Sequence, residues 1–345
     1  MNTKKYKLIN VTKVVRYKDK ILLIDDDINE IEPYSDAVFE ALKQLQKGCT
    51  IEDVSNFLKS EKDAEDLIEA LISSELLKEF TENKYINTML EKQWYYIESL
   101  SNSDTAELQE RISTKTVAVI GVGGVGTVVI DHLVRAGVKK LVIVDFDTVN
   151  ASNLNRQVLF TKQDIGEKKV DCVKKKVKMI AEDVSVQSIS KKITTISDLD
   201  FLKACPIDIL VNAADTPANI EKIIAEFGEK YSIPTISCSV GRHYGTWGPL
   251  YVPNETISYK CYTEYEEQQM TEYEKFVCNV QVEPLQASFA PTNTIVSVLM
   301  AKDVILFLAL GIDSEKIPSI NARCGINFMD LEFTQNIVDK NACKS

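Results

Sequence analysis

The chain has 345 residues, 45% of them hydrophobic and 26% charged, which excludes disordered, collagen-like and disulfide-scaffold proteins. Forty Lys and Arg against 51 Asp and Glu give a net charge of −11, which argues against broad binding to nucleic acid or an anionic membrane. The length suits one large domain and a small one.

The basic start, Met1 to Lys7, is followed by no continuous apolar run, so no signal peptide is expected and the chain is assigned to the cytoplasm. Residues 6–17 and 20–24 read as two strands with Lys18-Asp19 at the turn, and a third covers 29–32. Ser35-Asp36 then opens a helix that Gly48 ends. Thr50 and Asp53 form a capping box ahead of Val54, Phe57 and Leu58, and Ser60 opens a third helix carrying Ala64, Leu67, Ile68 and Leu71. This order makes residues 1–85 a small winged-helix-like α+β domain. Its third helix carries Glu61, Asp63, Glu65, Asp66 and Glu69 against Lys62, which would repel phosphates, so DNA is not the expected partner. A peptide added as an extra strand is the binding alternative to a packing role.

Residues 86–115 read as a linker with some helix, and 116–345 as an α/β domain. Strand 117–120, a glycine turn, helix 127–136 and strand 140–144 form a βαβ unit and so a mainly parallel, Rossmann-like sheet with helices on both faces. A Lys-rich helix (167–180), a strand (207–211), a helix (217–230) and a strand (234–238) continue the alternation. The apolar run Thr294–Leu310 contains Lys302 and Asp303 and reads as a buried helix, not a membrane span.

Gly121, Gly123 and Gly126 match G-x-G-x-x-G between a strand and a helix, and Asp145 ends the next strand. Alone this fits NAD, FAD, S-adenosylmethionine, ATP or an unliganded turn. Arg156 and Lys169 downstream suit the greater charge of a triphosphate, and Asp215 after Val211-Asn-Ala-Ala is placed to hold magnesium. Separately, Arg156 as a helix cap, Lys169 as a solvated lysine and Asp215 as an N-cap are equally ordinary readings.

G-x-G-G-x-G at 121–126, D-x-D at 145–147, N-x-x-R-Q at 153–157, G-x-x-K at 166–169 and A-A-D at 213–215 together resemble the ubiquitin-activating-enzyme-like adenylating superfamily of ThiF and MoeB. The resemblance implies that Gly121, Gly123, Gly124 and Gly126 cradle the nucleotide and that Asp145 binds ribose. Asn153, Gln157 and Asp147 would complete the ATP site. Arg156 and Lys169 would act on the triphosphate and Asp215 would hold magnesium. Asn155-Arg-Gln-Val-Leu-Phe160, Trp247-Gly-Pro-Leu-Tyr-Val-Pro253 and Phe289-Ala-Pro-Thr-Asn293 are similar to the microcin C-type branch (MccB), to which the pantocin A maturation enzyme PaaA also belongs. The N-terminal module resembles the precursor-peptide recognition domains related to PqqD. The branch implies a homodimer, with 294–310 at its interface, and a flexible crossover loop at 262–287.

Two departures from the superfamily stand out. Its paired C-x-x-C zinc ligands are reduced to Ser258-Tyr-Lys-Cys261 and Cys343, so zinc is expected to be absent, and the eight scattered cysteines fit reduced thiols. An arginine that relatives send into the partner's site is matched only by Lys92. Cys278 is a candidate thioester nucleophile without an adjacent histidine, Arg242 a candidate for pairing a substrate carboxylate, and His243 a candidate acid or base. His132 reads as a packing or surface residue. The function expected is ATP- and magnesium-dependent adenylation of a precursor-peptide carboxyl. The rivals are activation of a ubiquitin-like sulfur carrier, an NAD-dependent oxidoreductase and a non-enzymatic peptide-binding scaffold.

Overall fold

The structure is a computed structural model and describes residues 4–9, 11–280, 287–312 and 314–338, with the backbone alone at 277–279. It divides into two compact units, Met1–Gln109 and Glu110–Ser345.

The first unit begins with β1 (Lys5–Leu8), β2 (Lys13–Tyr17), β3 (Lys20–Ile24) and β4 (Ile28–Ile31). Next come α1 (Asp36–Leu45), β5 (Cys49–Thr50), α2 (Ile51–Leu58), α3 (Glu61–Ser73), β6 (Leu77–Glu79) and α4 (Glu91–Leu100). The expected strand at 6–17 is in fact two strands in different sheets: β5-β1-β6 and β2-β3-β4. All three helix starts lie where the capping residues put them. Ser35 and Ser60 accept from Val38 N and Asp63 N, and Thr50 and Asp53 cap each other reciprocally. Val14, Ile21, Leu23, Leu42, Leu45, Val54, Ala64, Ile68 and Leu71 share one core.

Residues 86–109 are not a linker. The division falls after Gln109, inside α5 (Thr105–Thr114), and Leu90, Trp94 and Ile97 on α4 are buried at helical spacing. Lys78 on β6 accounts for part of this. Its ammonium is buried and donates to Glu98 O (2.8 Å), Ser101 O (3.3 Å) and Thr105 Oγ1 (2.9 Å), so it closes the carboxyl end of α4 and ties it to β6. Burial pushes its pKa down, against the opposing pull of Glu98 and Asp104.

The second unit carries β7 (Thr116–Ile120), α6 (Gly124–Arg135), β8 (Lys140–Val144), α7 (Lys169–Ile180) and β9 (Ser185–Ile189). It continues with β10 (Ile209–Asn212), α8 (Ile220–Tyr231), β11 (Thr235–Val240), β12 (Tyr244–Trp247) and α9 (Tyr259–Gln269). It ends with α10 (Glu272–Asn279), α11 (Ala290–Leu310), β13 (Ala322–Asn327) and β14 (Phe333–Ile337). One sheet has the order β14-β13-β12-β11-β10-β7-β8-β9, parallel from β11 to β9 and antiparallel beyond. The chain runs outward from β7 through β8 and β9, then returns to β10 on the other side of β7. That reversal opens a crevice at the carboxyl ends of β7 and β10, where α/β sheets bind ligands. Alternate residues of β7 face opposite helical layers: Ala118 and Ile120 pack with α8, while Val117 and Val119 are buried on the other face.

Among the described residues α11 is the one helix long and apolar enough to cross a membrane by length and composition, a longer element than the expected run. Half of its most apolar window is buried, and it packs on α6, β11 and β12. Its buried Asp303 accepts from Trp247 Nε1 at 3.0 Å, so the charge inside the apolar run ties the helix to the sheet.

The segment expected to be a flexible crossover loop holds α9 and α10, and its first residue, Tyr262, is fully buried beside Ile257 and Val338. Arg323 on β13 secures α9. It lies 2.9 Å from Glu221 Oε1 and 3.5 Å from Glu266 Oε1, and its guanidinium sits 5.3 Å from the Tyr262 ring centre. Burial raises the pKa of Glu221, with Arg323 opposing it.

Lys78→Met, which keeps most of the buried stem but removes the ammonium, strands two backbone carbonyls and a hydroxyl. It is expected to destabilise the first unit by about 2–4 kcal/mol. Urea unfolding followed by hydrogen exchange of the α4 amides measures this, and unchanged protection would remove Lys78 as the tie.

Candidate functional site

The turn that leaves β7 has almost no free space. A Cβ on Gly121, whose φ is +88°, would lie 2.7–2.8 Å from the Ala213–Ala214 backbone, and one on Gly126 would lie 2.0 Å from Gly121 O. Ala213 and Ala214 are small for the same reason, since the end of β10 rests on this turn, and Asn212 Oδ1 holds Ala214 N at 3.2 Å. α6 then starts at Gly124 with Gly123 as an N-cap that offers no side chain. The N–H groups of its first turn therefore face the crevice without a side-chain acceptor, the arrangement that suits a phosphate.

Asp145, one strand over, is oriented by two backbone donors. Its Oδ2 accepts Val122 N and its Oδ1 accepts Asp147 N, both at 2.8 Å. Asp147 O in turn accepts Lys169 N at 3.0 Å, and Asp147 Oδ2 lies 2.9 Å from Lys169 Nζ. Lys169 is the first residue of α7 and is 6% exposed, so the solvated-lysine reading is excluded. Arg156 lays its stem over the glycine turn, with Cγ and Cδ 3.4 Å from a Cβ on Gly124. Its Nη1 donates to Ser152 O, within the short 3-10 helix Ala151–Asn153, and to Asn155 Oδ1.

Gln157 is 3% exposed, its Oε1 has no partner among the described residues, and its Nε2 would be 3.6 Å from a Cβ on Gly123. A buried amide oxygen left unsatisfied beside an uncapped helix start marks a place where a polar ligand completes the site. Asn153 differs from expectation, because its Oδ1 is committed to Asn150 N at 2.9 Å and braces the loop that carries Arg156 and Gln157. One residue at this turn had been met only within a family-like run. Asn293, near the start of α11, is buried with Oδ1 2.7 Å from a Cβ on Gly124, and its Nδ2 donates to Ser288 Oγ and Phe289 O. No local motif marks such a contact, which joins positions far apart in the chain.

Asp215 is exposed past the end of β10, bonded only to Thr216 Oγ1 among the described residues. The N-cap of α8 is Asn219, so Asp215 does not cap that helix. An exposed carboxylate with free lone pairs, on the same edge as the glycine turn, fits a magnesium ion that takes its other ligands from phosphate and water. Among the described residues no three His, Cys, Asp or Glu side chains converge on one point. Ser258 shows what the altered cysteine pair does here: its hydroxyl caps α9 by accepting Cys261 N at 3.1 Å. Cys261 is disulfide-bonded, which corrects the expectation of reduced thiols throughout.

Arg242 and His243 lie in the exposed turn between β11 and β12, at the same sheet edge, with His243 O accepting Phe328 N. His132 is half-buried in the last turn of α6. Lys92 belongs to the first unit, where its exposed ammonium pairs with Glu91 at 2.7 Å. The side chain of Cys278 and all of Cys343 lie outside the described residues. Of the other thiols, burial pushes Cys49 up to about 11, Cys238 and Cys324 to about 12, and Cys172 upward, so none of these is a ready thiolate.

These features coincide with what known proteins show. The ThiF family model matches residues 98–343, and the chain belongs to that family. Over 109 residues it is 38% identical to the sulfur carrier protein adenylyltransferase of Thermus thermophilus, covering 32% of this chain and 40% of that protein. Over 116 residues it is 39% identical to ubiquitin-like modifier-activating enzyme 5 of Aedes aegypti, covering 31% and 29% respectively. The chain thus spans two-fifths or less of these curated relatives. Its fold extends the likeness. E. coli MccB, crystallised with ATP, superposes with a TM-score of 0.76 over 96% of both chains at 23% identity. PaaA superposes with a TM-score of 0.71 over 94% of this chain and 98% of its own at 19% identity. The family and the fold read from the motifs are therefore borne out.

Both oxygens of Asp145 are occupied as acceptors, and an amide can supply only one. Asp145→Asn is expected to loosen the glycine turn and weaken ATP binding by roughly tenfold or more while the unit stays folded. Calorimetric titration of ATP together with circular dichroism tests this, and unchanged affinity would remove Asp145 from the site.

Proposed function

We propose that the chain is an ATP- and magnesium-dependent enzyme that adenylates a carboxyl group of a ribosomally made precursor peptide bound by the first unit. The observation that carries this reading is the meeting, at one sheet edge, of the uncapped start of α6, Arg156, the buried Lys169 and the oriented Asp145 carboxylate. A dinucleotide's pyrophosphate has less need of two cations than a triphosphate has. In the proposed step a carboxylate oxygen of the peptide attacks the α-phosphorus. The bond from that phosphorus to the bridging oxygen breaks, and its electron pair leaves on pyrophosphate. Both reactants are anions, so Arg156 and Lys169 lower the barrier by neutralising charge that would otherwise keep them apart. Magnesium held by Asp215 would add further neutralisation on the phosphate oxygens.

Peptide recognition is supported by likeness to E. coli MccB over nearly the whole chain, including a structure in complex with N-formylated MccA. It is also supported by β4, an edge strand exposed along most of its length, where an extended peptide gains main-chain hydrogen bonds. The acidic α3 argues against nucleic acid. The activated carboxyl would be used for cyclisation, dehydration or nucleotidyl transfer in the making of a peptide antibiotic. A homodimer built on the apolar α11 and a cytoplasmic location complete the proposal. The Thermus relative favours a second reading, activation of a sulfur carrier, which requires a protein with a free diglycine tail.

The test incubates the purified chain with ATP, magnesium and either a short peptide encoded beside its gene or a diglycine-tailed carrier. The expected result is peptide-dependent AMP and pyrophosphate, with Lys169→Met and Asp215→Asn each lowering turnover on the order of a hundredfold or more. ADP in place of AMP would mean phosphorylation, and turnover with the carrier alone would transfer the assignment to the second reading.

A further inference from the structure

We propose that Asp147 is the counterion that positions Lys169 for the nucleotide and is not itself a ligand of the nucleotide or its metal. This rests on the reading that the crevice binds ATP.

Lys169 occupies an unfavourable place for a cation. It is 6% exposed, so its ammonium has lost most of its hydration, and it begins α7, where the helix dipole places partial positive charge. Of its three N–H donors, the one hydrogen bond among the described residues goes to Asp147 Oδ2 at 2.9 Å. Two donors remain for phosphate oxygens. Asp147 is therefore what aims the ammonium in the absence of nucleotide.

The backbone fixes Asp147 for this task. Its N–H donates to Asp145 Oδ1 at 2.8 Å, its carbonyl accepts from Lys169 N at 3.0 Å, and Asp145 Oδ2 accepts Val122 N. One hydrogen-bonded chain thus links the glycine turn, the carboxylate at the end of β8 and the lysine, with Asp147 as its middle member. A carboxylate beside an incoming triphosphate also repels it. A counterion of this kind holds geometry at some cost in ground-state affinity, whereas a metal ligand would raise affinity only when the metal is present.

Calorimetric titration of ATP into the full chain, with magnesium and separately with EDTA, distinguishes these roles. Asp147→Asn keeps both backbone bonds and is expected to bind ATP about threefold to fivefold more tightly in both conditions, by removing the competing ion pair. It is also expected to lower kcat, because the ammonium is less well aimed. In a Lys169→Met background the same substitution is expected to lower kcat no further, a dependence that a purely structural role would not produce. Weaker binding confined to magnesium would make Asp147 a metal ligand and overturn the proposal. Equal affinity of Asp147→Asn and the wild type, or a loss of kcat that persists without Lys169, would also overturn it. A wild-type chain that binds no ATP would instead remove the nucleotide reading, and the proposal with it.

Discussion

The second unit is organised around a contact that leaves no room for side chains. The turn after β7 passes so close to the end of β10 that a Cβ on Gly121 or Gly126 would penetrate backbone atoms. Three consequences follow from that approach. The residues after Asn212 have to be small, the chain past them delivers Asp215 to the same edge, and the first N–H groups of α6 are brought to the crevice with no side chain in front of them. A side chain at Gly121 would push the turn off the end of β10, and one at Gly126 would push α6 off the turn. The glycines are thus a packing requirement first, and binding capacity follows from the packing.

Electrostatics then gives the crevice its sign. The net charge of −11 describes the chain as a whole, but the edge at β7 and β8 gathers the start of α6, the start of α7, Arg156 and Lys169. Arg156 is held by two neutral acceptors, Ser152 O and Asn155 Oδ1, which leave its charge uncompensated, while Lys169 is paired with one carboxylate and has two further donors for phosphate oxygens. The half-buried guanidinium of Arg323 is a useful contrast. It is met by Glu221, Glu266 and the face of Tyr262, which leaves little unbalanced charge and suits a structural tie.

What the sequence made legible was local. Capping residues at Ser35, Thr50 and Ser60 located three helices to the residue, because an N-cap bond spans only three positions and leaves its mark in neighbouring letters. The spacing of glycines, Asp145, Arg156, Lys169 and Asp215 was enough to predict one site, since each follows a parallel strand or opens a helix on the same edge. Contacts between distant positions were not legible. Asn293 reaches Gly124 across more than half of the second unit, and Lys78 closes α4 from a strand, so the stretch around Trp94 read as a linker. The helices at the start of the expected crossover segment were hidden for a related reason. Its polar, Glu-rich composition hides Tyr262 and the arginine that meets it from a strand some sixty residues on.

The quiet cysteines bear on how an activated carboxyl would leave such a site. A thioester route needs a thiolate near the crevice, and Cys238, on the strand next to β10, is the natural place to look. Burial and the neighbouring Glu221 hold that thiol protonated, at about 12, and Cys324 is held likewise. Both would need a positive partner before becoming nucleophilic, and Arg323, beside Cys324 in the chain, is already engaged by two glutamates. Among these buried thiols, then, the chain provides no acceptor for an acyl group.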